Sequence, residues 1–312
     1  ITRISPEAPV PILGVTRRRR TLGGAGNVVK NLRSLGIRVS AIVVTGKDST
    51  GRAIARELDR IGADAEVIQE IPRISTRKTR LMSIEHGRQV FRYDQETEQS
   101  ISAKTESEVM ERLRGLAGAA QAVMCSDYLK GALTVPVLRA AIEAGSTCSI
   151  PVVMSPKGSD ASRYRGAEVL IHNQRELELL SRVPIRGEQS LGVAARTALE
   201  AVEARSLLVT RGAKGMSLFH KSGTAVIESH IPTVARSVYD VTGAGDTAAS
   251  VFTASIAAGA NHKLAATIAN LAAGIVVGKR GTSSTTPEEI LGRAREDLSS
   301  EAAPAAFDFA AG

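Results

Sequence analysis

The sequence predicts an α/β fold, a three-layer sandwich in which helices cover both faces of a mostly parallel central sheet, with a small β lid. Two observations predict the layers, the continuous apolar runs and their alternation with helical patterns. Short, continuous apolar runs alternate with helical patterns over most of the chain, and such runs are typical of strands buried on both faces of a parallel sheet. A third observation predicts the lid, because two segments alternate polar and apolar residues as half-exposed strands do.

The elements of the sandwich follow in order along the chain. Strands are predicted at 38–46, 119–127, 150–158, 167–173 and 205–212, and helices at 50–62 and 135–145. Each strand ends in a polar or glycine-containing turn. Since ligands of such sheets bind beyond the carboxyl ends of the strands, we expect these turns to line one binding rim.

The lid is predicted from residues about 4–22 and 66–97, which break the α/β alternation. Residues 8–24 and 65–97 have the pattern of antiparallel strands, with turns at Pro72 and at His86-Gly87. A half-exposed sheet of this kind is expected to cover the rim.

The composition is that of a globular protein, and we expect a single domain over residues 1–312. Hydrophobic residues make up 43% of the chain and charged residues 23%, and no apolar run reaches the length needed to cross a membrane. The two cysteines, Cys125 and Cys148, lack metal-ligand spacing and favour a reducing compartment. We therefore expect a cytoplasmic protein with no membrane partner.

The net charge of +8 raises the question of a nucleic-acid partner. The dense cluster is the four arginines at 17–20, but aromatic residues are only 3% of the chain, so base-stacking platforms are scarce. A solvated loop explains the cluster better than a nucleic-acid arm, and small anionic substrates explain a basic surface equally well. We expect no nucleic-acid partner.

A glycine-rich turn precedes an alanine-rich helical run near the C-terminal end. Residues 242–246 read Thr-Gly-Ala-Gly-Asp, and good helix formers continue from Thr247 to Gly259. The unpaired N–H groups and the dipole of a helix N-terminus favour a phosphate, and glycines let the backbone approach it. Alternatively, Asp246 is an ordinary N-cap and the glycines only form a tight turn.

Two weaker motifs lie at other strand-to-helix junctions. Residues 21–36 contain a second glycine-rich turn, where N–H groups and the Asn27 amide are available to a polar ligand such as a sugar. Asn173 and Glu176 place an amide and a carboxylate one helical turn apart. Such groups hold Mg²⁺ beside a phosphate, often through water, although an isolated pair can equally be an ordinary helix cap.

Together, these motifs resemble those of the ribokinase-like (PfkB) carbohydrate kinases. "GGAGN" at 23–27, "NQRE" at 173–176 and "DVTGAGD" at 240–246 stand where that family has GGAxxN, NxxE and DTGAGD. The stretches "RISPEAPVP", "SDYLKGAL", "PKGSDASRYRGA" and "AAGIVVGKRGTS" are similar to one subgroup, the kinase half of the bacterial ADP-heptose synthesis enzymes. The resemblance runs from Arg3 to about Arg293.

The resemblance implies a role for each motif in an ATP-dependent phosphorylation. Asp246 is implied to take the proton of the acceptor hydroxyl, and the N–H groups of Gly243, Ala244 and Gly245 to stabilise the transferring phosphoryl group. The implied nucleotide-binding residues are Asn173, Glu176, Lys157, Gly212 and Asn270. The implied substrate-binding residues are Gly23, Gly24, Asn27, Lys130, Arg92 and Asp94.

The subgroup also implies the substrate, the ions and the assembly. The acceptor is a sugar phosphate, D-glycero-β-D-manno-heptose 7-phosphate, converted to the 1,7-bisphosphate in ADP-heptose and lipopolysaccharide core biosynthesis. Mg²⁺ is expected with ATP, held by Glu176 through water, and a monovalent cation is expected near Asp240. Basic residues of the lid are candidates to bind the distal phosphate: Arg73, Arg77, Lys78 and Arg80, with Lys130. A homodimer is expected to form through the lid.

The chain departs from the subgroup at three places. It starts downstream of a strand whose aspartate binds the sugar in the subgroup, so we expect an N-terminal strand to be missing. The family's DPKG reads "SPKG" from Ser155, and its TPNxxE has His172 in place of the proline. Two alternatives therefore stay open: a ribokinase-like kinase of another sugar, and a truncated, non-catalytic remnant that binds nucleotide.

Overall fold

The computed structural model describes residues 3–83, 88–235, 237–279, 281 and 283–301. Its helices are α1 (Ala25–Ser34), α2 (Ser49–Arg60), α3 (Ala103–Ala117), α4 (Val135–Cys148), α5 (Gln174–Ser181), α6 (Glu188–Val202), α7 (Ala244–Ala257), α8 (His262–Val277) and α9 (Pro287–Glu301). Its strands are β1 (Arg3–Ile4), β2 (Pro11–Ile12), β3 (Ser40–Gly46), β4 (Asp64–Glu70), β5 (Arg77–Met82), β6 (Gln89–Gln95), β7 (Val123–Ser126), β8 (Val152–Ser155), β9 (Val169–Asn173), β10 (Ser206–Thr210), β11 (Met216–Ser222) and β12 (Ala225–Ile231).

The central sheet confirms the predicted α/β class. Its strand order is β12-β11-β10-β9-β8-β7, with β7 to β10 parallel and β11 and β12 antiparallel at one edge. Consecutive residues of β9 point to opposite faces. Leu170 packs in a core with Leu138 of α4 and Leu199 of α6, while Ile171 packs with Phe252 of α7 and Ala265 of α8. Helices therefore cover both faces.

A cavity separates β3 from β7. Residues of both strands line a space of about 2970 Å³, and among the described residues β3 pairs only with β4 and β7 only with β8. Two strand edges therefore face the same cavity. The N-terminal strand expected from the sequence stays a prediction.

The predicted antiparallel lid is wrong in its first part. β4 pairs with β3 in parallel register, so residues 64–70 do not belong to an antiparallel sheet. The chain bends at Ile71 and Pro72, as predicted, and the lid hairpin of β5 and β6 follows. The predicted turn at His86-Gly87 lies outside the described residues.

The N-terminal lid segment also forms less sheet than predicted. Only the two-residue strands β1 and β2 pair there, and residues 13–23 have no regular structure. Pro6, Pro9 and Pro11 lack the N–H groups that a longer ladder requires. Within the described ranges, no helix combines the length and the hydropathy needed to span a bilayer.

Candidate active site

The site forms where the N-terminal ends of α1 and α7 meet. The Asn27 side-chain amide donates a hydrogen bond to Asp246 Oδ2 at 2.9 Å. One turn further on, the Thr247 hydroxyl donates to Asn31 Oδ1 at 2.9 Å, and Ser250 Oγ donates to the Val28 carbonyl at 3.3 Å. These bonds hold the first glycine-rich motif against the second.

The turn before α7 places Asp246 inside the helix, not at its cap. The N-cap is Gly243, whose φ of +87° lies in the left-handed region that favours glycine. Asp246 is the third helical residue, so the alternative of an ordinary N-cap is wrong. The N–H groups of Gly245 and Asp246 have no acceptor among the described residues, and the space beside Gly245 is open. This end of α7 can therefore accept an anion.

Tyr128 is a site residue that the sequence motifs did not single out. It follows β7, within the quoted stretch "SDYLKGAL", and its hydroxyl donates to Asp246 Oδ1 at 2.6 Å. Burial, and then the charge of Asp246, raise the pKa of the Tyr128 hydroxyl, so the phenol stays protonated. A Cβ on Gly24 would lie 3.3 Å from the Tyr128 ring. The position of Tyr128 at the polar end of a strand was the available signal.

Lys157 and Glu176 form an ion pair beside this group. Lys157, after β8, pairs with Glu176 Oε1, and its Nζ lies 5.3 Å from the centroid of the Tyr128 ring. Glu176 Oε2 accepts from the Asn173 N–H at 2.9 Å, and Asn173 Oδ1 accepts from the Glu176 N–H at 2.9 Å. Asn173 and Glu176 thus cap α5, as the alternative of an ordinary helix cap predicts. The other oxygen of Glu176, Oε1, faces Lys157.

His172 replaces the family's proline without adding charge. Its ring is buried and both ring nitrogens lack a hydrogen-bond partner among the described residues, although Nδ1 lies 4.0 Å from Glu176 Oε2. Burial, with a smaller effect of the Lys157 charge, lowers the pKa of His172 to about 3. The neutral ring therefore leaves the Glu176 carboxylate to Lys157.

Gly212 and Asn270 lie at another part of the rim. Gly212 begins the short turn after β10, and Thr210 at the end of β10 pairs with Asn173. Asn270 of α8 donates to the Pro232 carbonyl at 2.7 Å. A Cβ on Gly215, at the end of the Gly212 turn, would lie 2.7 Å from the carbonyl carbon of Pro232. Gly212 and Asn270 thus flank one stretch of chain.

The substrate-binding residues predicted on the lid are paired with one another. Arg92 donates to both oxygens of Asp94, at 2.9 and 2.7 Å, and these hydrogen bonds are the main reason that the pKa of Asp94 is lowered to about 2. Lys130 pairs with Glu96 and Glu98, at 2.8 Å each. Lys78 also pairs with Asp94 and Glu96. This charged cluster occupies two cations of the lid hairpin, Lys78 and Arg92, together with Lys130.

Arg77 and Arg80 are the exceptions among the cations of β5 and β6, because neither makes a hydrogen bond or ion pair with another described residue. Arg80 stands opposite Arg92 in the β5–β6 register. Asp240, just before the turn of α7, has a pKa below its usual value, chiefly through the Thr242 side chain and also through the charge of Arg80. Arg80 therefore lies close enough to the α7 turn to act on its charges.

The predicted residues thus fall into two connected groups and one separate group. The cavity is lined by Gly23, Gly24, Lys130, Lys157, Gly243 and Asp246. Lys157 connects this group to the second, Asn173 and Glu176. Gly212 and Asn270 have no contact with either group in the described hydrogen bonds.

Glu176 can help to bind a divalent ion, but not as one of several protein side chains that surround the ion. Among the described residues, no group of three or more acidic, histidine or cysteine side chains could hold a metal. One carboxylate at a phosphate-binding rim nevertheless fits Mg²⁺, which keeps several waters and is held largely by substrate phosphates. The donor set therefore fits an ion brought by a nucleotide.

Comparison with known proteins agrees with this arrangement. The profile of the pfkB family of carbohydrate kinases matches residues 2–289. This chain belongs to that family. Both glycine-led helix ends and the Asn173–Glu176 pair lie within the matched range of the pfkB family profile.

Two curated relatives are longer proteins. The chain is 47% identical over 290 residues to "Bifunctional protein HldE" of Citrifermentans bemidjiense, covering 93% of this chain and 58% of the relative. The HldE protein of Geotalea uraniireducens matches with the same identity and coverage, 47%, 93% and 58%. The chain therefore spans less than two thirds of the length of these relatives.

Solved structures share the fold. Phosphofructokinase-2 from Escherichia coli in complex with potassium superposes with a TM-score of 0.74 at 18% identity, covering 92% of this chain and 93% of that one. Arabidopsis thaliana ribokinase complexed with ribose and ATP gives 0.68 at 20% identity, with 91% and 92% covered. These likenesses confirm the ribokinase-like fold of the pfkB chain.

Proposed function

We propose that this chain is an ATP-dependent sugar-phosphate kinase that phosphorylates O1 of D-glycero-β-D-manno-heptose 7-phosphate. The product is the 1,7-bisphosphate of ADP-heptose and lipopolysaccharide core biosynthesis. The observation that carries the proposal is the position of Asp246, whose carboxylate lies at an anion-accepting helix end and is held by Asn27 and Tyr128. The 47% identity to HldE proteins supports the heptose phosphate as the acceptor.

The chemistry follows from this geometry. Asp246 accepts the proton of the acceptor hydroxyl while that oxygen bonds to the γ-phosphorus of ATP, and the bond to the β,γ-bridging oxygen breaks to release ADP. The N–H groups of Gly243 and Gly245 stabilise the charge on the transferring phosphoryl group, and the Ala244 N–H joins them when it leaves the Val241 carbonyl, to which it donates at 3.2 Å. Preorganised donors of this kind supply most of what phosphoryl transfer requires.

The nucleotide lies on the other side of Tyr128 in this proposal. Lys157 exchanges its ion pair with Glu176 for the phosphates of ATP, and Asn173 and Glu176 face the same phosphates. Gly212 and Asn270 flank the base and ribose. Mg²⁺, when bound with ATP, neutralises phosphate charge, and Glu176 holds it through water.

We assign the distal phosphate of the acceptor to Arg80. Lys78, Arg92 and Lys130 are already paired with carboxylates. Arg73 donates to Glu70 and to two backbone carbonyls. Arg80 faces a like charge across the strand, an arrangement that a bound anion relieves, and a guanidinium matches the geometry of a phosphate.

Three further assignments belong to the same proposal. A monovalent cation beside Asp240 is supported by the carboxylate there and by the potassium in the phosphofructokinase-2 structure. A homodimer through the lid is supported by the exposed apolar side chains of the hairpin. A cytoplasmic location is supported by the free thiols of Cys125 and Cys148.

The substrate assignment is tested by kinetics with two acceptors. The parent chain is assayed with ATP and either heptose 7-phosphate or the unphosphorylated heptose, and the product is identified by mass. We expect the 7-phosphate to have the higher kcat/KM and to give the bisphosphate. A preference for the unphosphorylated sugar would favour a kinase of another sugar. ATP binding without any turnover would favour the non-catalytic remnant.

The role of Asp246 is tested by Asp246→Asn. The amide keeps the size of the side chain but cannot accept the hydroxyl proton, so kcat should fall about 10²–10⁴-fold while ATP affinity stays near that of the parent. Asp59→Asn makes the same chemical change at an exposed position of α2 and should leave kcat unchanged. Parent-level turnover by Asp246→Asn would contradict the mechanism.

A further inference from the structure

Tyr128 touches three parts of the site at once. Its hydroxyl donates to Asp246 Oδ1 at 2.6 Å, its ring lies against the backbone of Gly24, and Lys157 Nζ lies 5.3 Å from the ring centroid. Lys157 is in turn paired with Glu176. The contacts therefore run without a break from the acceptor loop through Tyr128 to the residues assigned to the nucleotide.

The hydroxyl of Tyr128 fixes the direction in which Asp246 points. One carboxylate oxygen accepts from Tyr128 and the other from Asn27, so rotation about the end of the side chain would break two hydrogen bonds. Each oxygen keeps a further lone pair for an acceptor hydroxyl. Because the phenol stays protonated, it acts as a donor and does not compete with Asp246 for the proton.

The ring of Tyr128 fixes the position of Lys157. An ammonium group that lies over an aromatic face is attracted by the negative face of the ring. The contact keeps the Lys157 ammonium group beside the ring while it is paired with Glu176. The side chains that donate to Asp246 are the neutral groups of Tyr128 and Asn27.

We propose that Tyr128 is a positioning residue for the phosphoryl transfer, in which the hydroxyl orients the Asp246 carboxylate toward the acceptor and the ring holds Lys157 beside the nucleotide phosphates. This inference rests on the proposed function. It adds a residue that joins the two halves of the site.

Two substitutions separate the hydroxyl from the ring. Tyr128→Phe removes only the hydroxyl and should lower kcat about ten- to hundredfold, with KM for ATP unchanged. Tyr128→Leu also removes the ring and should in addition weaken ADP binding, measured by calorimetry. Tyr93→Phe makes the same change at an exposed lid position and should change none of these quantities.

The outcomes distinguish this role from a structural one and from a failure of the proposed function. Tyr128→Phe with parent kcat would overturn the role of the hydroxyl. A lower kcat together with a raised KM for ATP and a lower Tm would show a structural role and would also overturn it. Equal ADP affinity in the Leu and Phe variants would overturn the role of the ring. A parent chain that phosphorylates no sugar would contradict the proposed function instead, and the ADP titration would still decide the role of the ring.

Discussion

Glu176 carries two roles that a single substitution can separate. Its Oε2 belongs to the capping box of α5 with Asn173, and its Oε1 faces Lys157. Glutamine also forms capping boxes, so Glu176→Gln should change the free energy of unfolding little. It removes the carboxylate, so the Mg²⁺ concentration for half-maximal turnover should rise roughly tenfold.

Turnover at several Mg²⁺ concentrations and urea unfolding, on the same preparation, check this expectation. Glu200→Gln, at an exposed position of α6, is the matched control. An identical Mg²⁺ dependence in Glu176→Gln and in the parent would exclude the carboxylate from metal binding.

At the scale of the element, the lid hairpin offers a test of substrate selection. Lys78 and Arg80 lie on one face of β5, and Arg77 lies on the other by strand alternation. Arg80→Ala should raise KM for the sugar phosphate about tenfold or more and leave KM for ATP unchanged, because the distal phosphate loses a charged donor. Arg77→Ala should leave both KM values near those of the parent. Equal effects of the two substitutions on KM for the sugar phosphate would refute the assignment of Arg80. A rise of this KM only in variants of the arginines at 17–20 would also refute it.

A second element-scale prediction concerns two histidines between β11 and α8. The rings of His220 and His262 lie 4.8 Å apart, and Ser206 Oγ is hydrogen-bonded to His220 Nδ1 at 2.7 Å. Burial lowers the pKa of both rings. For His220, the charge of Arg205 lowers the pKa further and the charge of Glu168 raises it. For His262, the charges of His220 and Arg205 lower the pKa further. The unfolded chain therefore binds more protons than the folded chain just below the ordinary histidine value, about 6.5.

Stability should accordingly be full above about pH 6.5 and fall as the pH is lowered through that value. His262→Gln removes one of three titrations by histidines of lowered pKa, the others being those of His220 and His172, so the loss of Tm between pH 7 and pH 5, measured by thermal unfolding, should be smaller than in the parent. His230→Gln, at an exposed position of β12, should leave the loss unchanged. If both variants lose as much Tm as the parent, the histidine pair does not cause the pH dependence.

At the scale of the whole molecule, the sequence predicts the helices and strands better than it predicts the contacts between them. The continuous apolar runs of β9 and β10 were recognisable because both faces of these strands are buried. The pattern of β4 was equally recognisable as a strand, but polar alternation does not tell parallel from antiparallel pairing. The contact of Asn27 with Asp246 joins residues 219 positions apart, and no local pattern predicts which helix ends meet. No local pattern predicts the contact of Tyr128 with Asp246 either, because these residues are 118 positions apart.

The assembly is a whole-molecule prediction. On the face of the hairpin opposite the charged cluster, Phe91 is 55% exposed and Tyr93 43% exposed. Apolar side chains in this position are typical of an interface. Phe91→Asp should convert the dimer to a monomer, measured by light scattering after gel filtration. Arg88→Asp, which changes the charge beside β6 without touching this apolar face, should stay dimeric. A monomeric parent would contradict the proposed assembly.

The hydrogen bonds between α1 and α7 have a consequence for the order in which the site is made. They join residues 216, 219 and 222 positions apart, whereas the capping box of Asn173 and Glu176 spans one turn of helix. Long loops must close before distant contacts form, and this closure is slow compared with local structure. A chain emerging from the ribosome can therefore complete the Asn173–Glu176 capping box early. The Asp246 carboxylate reaches its partner Asn27 only after most of the sequence matched by the pfkB profile has been synthesised and the two helix ends have docked.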